Sequence, residues 1–172
     1  MEIQTTTALP FDAAHLSSDY RELAQWAHGL LMGQTHRVSN AANLSALIFE
    51  HLPDLNWVGF YFLDDDPMGG GAPVLMVGPF QGKPACVRIE IGQGVCGQAV
   101  ASRTTQRVAD VHAFPGHIAC DPASRSELVV PLISAGAVIG VLDIDSPLSE
   151  RFSEVDQAGI EYLAKLYLHS LG

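Results

Sequence analysis

Two apolar runs near the carboxyl end of the chain, SELVVPLI and AVIGVLDID, are separated only by Ser134-Ala135-Gly136. Both are short, rich in β-branched residues and joined by a spacer that suits a three-residue hairpin loop, with Gly136 in the left-handed position. A hairpin constrains a fold more than any other local signal, because it sets partner, direction and register together. Counting outward from the loop places Ile133 opposite Ala137, Pro131 opposite Ile139, Val129 opposite Val141 and Glu127 opposite Asp143. Side chains alternate between faces, so Asp145 falls on the same face about 7 Å further along. The expected face runs from apolar to acidic and ends in three carboxylates, Glu127, Asp143 and Asp145. A slip of one residue would turn Glu127 to the other face and dissolve the cluster.

Three like charges in one place do not all ionise cheaply. Either one carboxyl keeps its proton with a raised pKa, or a cation binds among them. The plainer alternative is that the two aspartates are solvated residues at a strand end.

The rest of the chain supplies a setting for this hairpin. Residues 1–18 have no periodicity and read as a loose leader. From Asp19 the spacing of Leu23, Trp26, Ala27, Leu30 and Leu31 is helical. A second helix is expected to start near Ser39 or Asn40, with Leu44, Leu47, Ile48 and Leu52 on one face and Pro53-Asp54 as its stop. NWVGFYFL then reads as a strand, DDDPMGGGAP as a long, mobile glycine-rich turn, and VLMVGPF and ACVRIEI as further strands. GVCGQAVASR is expected to form a short helix with Cys96 in its first turn, and TQRVAD a brief strand. Residues 111–125 have no regular period. SEVDQAGIEYLAKLYLHSL closes the chain as an amphipathic helix, with Ser153 as N-cap and Asp156 at N3. Helices bracketing about six strands with short turns define an α+β fold with an antiparallel sheet. No repeat or composition shift divides it, so residues 19–172 are expected to form one domain behind the 1–18 leader.

Composition excludes some functions. Hydrophobic residues make up 48% of the 172 and charged residues 16%, the balance of a chain that packs a core. Nineteen acidic residues against nine Lys plus Arg give a formal charge of −10, which argues against nucleic-acid or anionic-membrane partners. No apolar run approaches bilayer length, and the amino-terminal residues lack signal-peptide character, so a cytoplasmic protein is expected.

Three cysteines, Cys86, Cys96 and Cys120, are too few for a disulfide framework. There is no C-x-x-C, and spacings of nine and twenty-three intervening residues match no zinc template, so no metal site is expected. Cys120 lies in a polar loop segment near His117, which would favour its thiolate if folding brings the ring close. A backbone-bonded loop histidine is the plainer use of His117. Cys96, between glycines at a helix start, reads as a packing residue, and the helix amino terminus would nonetheless depress its pKa. Cys86 enters a strand. Which of the three pair is not legible from spacing.

Taken together, NWVGFY, GPFQGKPACVRI, GQGVCGQAV, DVHAFPGHIACD, SRSELVVPL and IGVLDIDSP resemble the free methionine-(R)-sulfoxide reductases, which are single GAF domains. The likeness runs from about Tyr20 to the last helix. It implies a homodimeric GAF domain that reduces free L-methionine (R)-S-oxide, binds no cofactor and is recycled by thioredoxin. Carried over by motif, Cys120 in GHIACD matches the attacking cysteine, and Cys86 in GKPAC and Cys96 in GVCG match cysteines that resolve it, Cys86 first. Glu127, Asp143 and Asp145 match the acidic residues of the substrate pocket, with Glu127 also catalytic. Trp57 matches the aromatic that lines the pocket, and Tyr61 on the same strand is grouped with it as substrate-binding. The long 64–73 turn and the 1–18 leader depart from the pattern.

The chemistry agrees with the residues. A sulfoxide oxygen must be protonated while a thiolate attacks sulfur, and a carboxyl kept neutral by its neighbours can supply that proton. Attack leaves a sulfenic acid, which a second thiol converts to a disulfide. Two rival readings use the same residues differently. A non-catalytic GAF sensor needs no cysteine chemistry, and a metal-binding protein would place a divalent cation among the carboxylates.

Overall fold

The computed structural model describes residues 8–69, 71–116 and 121–172. The elements are α1 (Ser18–Leu31), α2 (Arg37–His51), β1 (Trp57–Asp64), β2 (Val74–Gly82), β3 (Arg88–Glu90), α3 (Gly94–Ser102), β4 (Gln106–Val108), β5 (Ser126–Ser134), β6 (Ala137–Ser146) and α4 (Glu154–Ser170), with a 3₁₀ turn at Val111–Ala113 between β4 and β5. The six strands form one antiparallel sheet in the order β3-β2-β1-β6-β5-β4. The α+β class expected from the sequence is the one observed.

Helix starts follow local chemistry. Ser17 caps α1 by accepting from the Tyr20 N–H. The α4 terminus is the capping box read from the sequence, in which Ser153 accepts from the Asp156 N–H and the Asp156 carboxylate accepts from the Ser153 N–H. Helix α2 begins earlier than expected, because the His36 ring accepts from the Ser39 N–H and serves as the cap in place of Ser39 or Asn40. The strand expected at ACVRIEI shrinks to Arg88–Glu90.

The sheet is covered on both faces, and strand parity decides what each face carries. Even-numbered residues of β1 and β5, Val58, Phe60, Phe62, Leu128, Val130 and Leu132, join Leu142 and Ile144 of β6 in a core with α1, α2 and α4. Odd-numbered residues, among them Trp57, Tyr61, Val129 and Val141, pack on the other face against Val95, Cys96, Ala99 and Val100 of α3. A strand buried on both sides reads as a continuous apolar run, which is why NWVGFYFL shows no alternation. Residues 8–17 are not loose: Leu16 is buried, Leu9, Phe11 and Ala13 pack on the helical core, and the Tyr162 hydroxyl donates to the Phe11 carbonyl at 2.7 Å. The 64–73 turn is tied to β3 by a two-point ion pair, Arg88 Nε to Asp66 Oδ1 at 3.1 Å and Nη2 to Oδ2 at 2.8 Å.

The hairpin register differs from the sequence count. Ser134 pairs with Ala137, so the loop has two residues, Ala135 at φ 47° and Gly136 at φ 81°. Two consecutive positive φ values match the twist of the flanking strands. Two pairs from the turn the register shifts: Ile133 pairs with Val138 but Leu132 with Gly140, leaving Ile139 as the extra residue of a bulge. Glu127 consequently faces Asp145, and Val129 faces Asp143. A turn one residue shorter and a bulge one residue longer displace the pairing by two, so side-chain parity is preserved. All three carboxylates remain on the α3 face.

Candidate active site

At the acidic end of that face lies a pocket with a cavity volume of about 40 Å³. Its walls are Trp57 and Tyr61 from β1, Pro84, Ala85 and Ile89 around β3, residues 93–96 at the start of α3, Asp121 and Ser124 before β5, and Glu127, Asp143 and Asp145. The candidates Trp57, Tyr61, Cys96, Glu127, Asp143 and Asp145 are therefore brought together. Cys86 packs against the same cluster and is disulfide-bonded, whereas Cys96 is a free, buried thiol. Cys120 and His117 lie outside the described residues.

Trp57 is held by its indole Nε1, which donates to the Lys83 carbonyl at 3.1 Å, and by stacking on Phe80 at 5.2 Å. Gly59 leaves room for the ring: a Cβ there would meet the far edge of the indole. The Tyr61 hydroxyl donates to the Cys86 carbonyl at 3.1 Å. Burial first, and then the carboxylates around it, push its pKa up, so it stays a neutral donor.

Glu127 and Asp143 are 7% and 6% exposed, and with Cys96 their side-chain donor atoms lie within 4.8 Å of one another. At that separation two ionised carboxylates repel by about 3 kcal/mol for an effective dielectric constant of about 20. Burial and this repulsion raise Glu127 well above the ordinary carboxylate range. Burial, and then Asp143 and Asp121, do the same for Asp145. Asp143 is pushed up to about 7 by burial, and hydrogen bonds from Cys96, Glu127 and the Ile144 N–H restrain its rise. The three carboxyls thus titrate as one coupled group, each raised above the ordinary carboxylate range chiefly by burial. The Oδ1 atom of Asp143 is buried without a hydrogen-bond partner among the described residues.

Cys96 departs from the sequence expectation. Although it occupies the first turn of α3, burial and the adjacent carboxylates Asp143 and Glu127 push its thiol pKa up, and the helix terminus does not overcome them. It donates to Glu127 Oε1 at 3.9 Å. Cys96, Glu127 and Asp143 form the one group among the described residues that could hold a metal ion. A thiol and a carboxyl that both retain protons are poor ligands until a cation displaces those protons.

The sequence reading passed over Asn56, Asp121 and Ser124. Asn56 Nδ2 donates to Asp121 Oδ2 at 3.1 Å and to Ser124 Oγ at 2.9 Å. The Asp121 carboxyl is held below its ordinary range by the Ala123 N–H first, then by Asn56 and Lys83, despite its burial. The available signal was position: Asn56 directly precedes Trp57, and Asp121 directly follows Cys120.

A curled antiparallel sheet with α1, α2 and α4 on one face and α3 beside a pocket on the other is a GAF architecture, and residues 39–168 match the GAF domain family. Over 144 residues the chain is 51% identical to the free methionine-R-sulfoxide reductase of Escherichia coli (strain K12), covering 84% of this chain and 83% of that protein. The structure of fRMsr of Staphylococcus aureus in complex with substrate superposes with a TM-score of 0.82 at 46% identity, covering 89% of this chain and 95% of that one. The free methionine-R-sulfoxide reductase of Neisseria meningitidis, also with its substrate, gives 0.83 at 42% identity and 95% coverage of both. The chain belongs to the free methionine-R-sulfoxide reductase family of oxidoreductases.

Proposed function

We propose that the chain reduces free L-methionine (R)-S-oxide to L-methionine, using Cys120 as nucleophile, Glu127 as proton donor and Cys86 as the resolving thiol. The observation that supports this most is the carboxylate triad, which sits at the end of an apolar wall beside the segment that carries Cys86. A free amino acid presents an ammonium group, a carboxylate and an apolar thioether end. The Oδ1 atom of Asp143, without a hydrogen-bond partner among the described residues, receives the ammonium with Asp145. Trp57 and Tyr61 cover the methyl-thioether end. The amino terminus of α3, where Gln93 makes no side-chain cap bond, offers backbone N–H groups and a positive dipole end to the substrate carboxylate.

In the chemical step the Cys120 thiolate attacks the sulfoxide sulfur as Glu127 protonates its oxygen, and the S–S bond of this adduct then breaks as the hydroxyl passes to the Cys120 sulfur. The sulfoxide gains two electrons, methionine leaves, and the oxygen is retained as the Cys120 sulfenic acid. The Cys86 thiolate then displaces that oxygen as water and forms the disulfide, which an external dithiol such as thioredoxin reopens. The disulfide-bonded state of Cys86 beside a free Cys96 supports Cys86 as the resolving partner.

Steady-state assays with separated epimers and an excess dithiol test this reading. Turnover of the R epimer and none of the S epimer is expected, with Cys120→Ser inactive. Equal turnover of both epimers, or an active Cys120→Ser, contradicts it. The convergence of Cys96, Glu127 and Asp143 also fits a cation site, and there the prediction is opposite: a chelator leaves reductase activity unchanged, whereas a metal enzyme loses it.

A further inference from the structure

We propose that Asn56 is a positioning residue for the thiol–disulfide step, holding the segment that follows Cys120 in register with the segment that leads to Cys86. The inference rests on the reductase reading above. The start of β1 touches both segments. Asn56 Nδ2 donates to Asp121 Oδ2 at 3.1 Å and Ser124 Oγ at 2.9 Å, and the next residue, Trp57, donates from its ring to the Lys83 carbonyl at 3.1 Å. Trp57, the first residue of β1, and Asn56 just before it thereby grip the chain on either side of the pocket. Their own position is set by the sheet, since the Asn56 N–H donates to the Asp145 carbonyl at 3.0 Å.

Asp121 Oδ2 is the junction, because Lys83 Nζ also reaches it at 3.7 Å. That ion pair joins the two segments directly, but the lysine side chain is 71% exposed, so solvent screens it. The half-buried Asn56 amide carries more of the fixation. Asn56 Oδ1 is buried with no partner among the described residues, a state that costs free energy. A side chain kept only to fill space would not retain that orphan acceptor. One whose two amide hydrogens must both be spent on the Asp121–Ser124 turn accepts it.

The chemistry that benefits is disulfide closure. The Cys86 thiolate attacks the Cys120 sulfur, the S–O bond breaks as the S–S bond forms, and hydroxide leaves with a proton as water. Reduction by an external dithiol runs by exchange, the dithiol being oxidised as the protein disulfide is reduced. Holding the two segments raises the effective concentration of one sulfur at the other, which speeds closure and stabilises the disulfide.

The test compares Asn56→Ala, Asn56→Asp and the swap Asn56→Asp/Asp121→Asn, in which donor and acceptor trade places. Each is equilibrated with dithiothreitol buffers, which needs no substrate, and thiol loss is followed separately after one equivalent of sulfoxide. The single variants are expected to shift the equilibrium toward the dithiol by about tenfold, which is about 30 mV for this two-electron couple. They should also slow thiol loss relative to methionine release, and the swap should recover most of both. Singles that match wild type, or a swap no better than the singles, overturn the inference. Should Asn56→Ala fail to fold, the near-isosteric Asn56→Asp and the swap carry the comparison. A wild-type protein that releases no methionine contradicts the reductase reading instead, and the dithiothreitol equilibrium still decides the role of Asn56.

Discussion

Burial raises the pKa of both Glu127 and Asp143, the Asp143 charge raises Glu127 further, and hydrogen bonds from Cys96 and Glu127 restrain Asp143. The proposed mechanism uses that difference to hold an acid and an anion in one pocket. Replacing the acid with an isostere that donates no transferable proton, Glu127→Gln, is expected to lower kcat/KM by at least about a hundredfold. Loss of the alkaline limb of the pH profile should accompany it; an unchanged profile would assign the proton to another group. Asp143 has a consequence for stability. Its folded pKa of about 7 lies above the ordinary 3.8, so the native state binds a proton that the unfolded chain releases. That contribution is fully present below about pH 4 and is lost as pH rises to about 7. The melting temperature of the unliganded protein should therefore fall more steeply across that range than that of Asp143→Asn, and parallel curves would contradict the assignment. At this scale the triad was legible because it depends only on strand parity. Cys96 packs at the helix start as read, but its pKa was misread because the thiol responds to burial between α3 and the sheet and to carboxylates thirty or more positions away, which no local window reports.

The β5–β6 hairpin shows how an element can place a site correctly through two compensating differences. A three-residue loop was expected, the turn has two residues, and the bulge at Ile139 restores the face on which Glu127 points. Turn length is ambiguous in Ser134-Ala135-Gly136 because Ala135 adopts a positive φ that alanine rarely takes. The bulge is invisible in sequence because the extra residue, Ile139, is as apolar as its neighbours. Gly140 beside it is less replaceable: a Cβ there would meet the Tyr61 carbonyl oxygen of β1, which is backbone and cannot yield. Gly140→Ala is expected to cost about 1–3 kcal/mol in urea unfolding. An unchanged midpoint would mean that β1 and β6 are more loosely joined than their register indicates.

Across the whole molecule, the two faces of the sheet divide the work. The helical layer of α1, α2 and α4 supplies the main core, and the α3 face gives up part of its packing to a pocket. Helix order, sheet class and the closing capping box were readable because each rests on periodicity or on residues three apart. The ties made by Asn56, Asp121 and Lys83 were not, since they join positions 38 to 68 residues apart through loops without pattern. The account as a whole requires that one sulfoxide consume two particular thiols and spare the third. The direct measurement is a single turnover of reduced protein with the R epimer and no reductant, counting methionine released and thiols left after denaturation. One methionine per chain, loss of the Cys86 and Cys120 thiols and retention of Cys96 are the predicted result. Methionine release with all three thiols intact, or Cys96 consumed in place of Cys86, would contradict it.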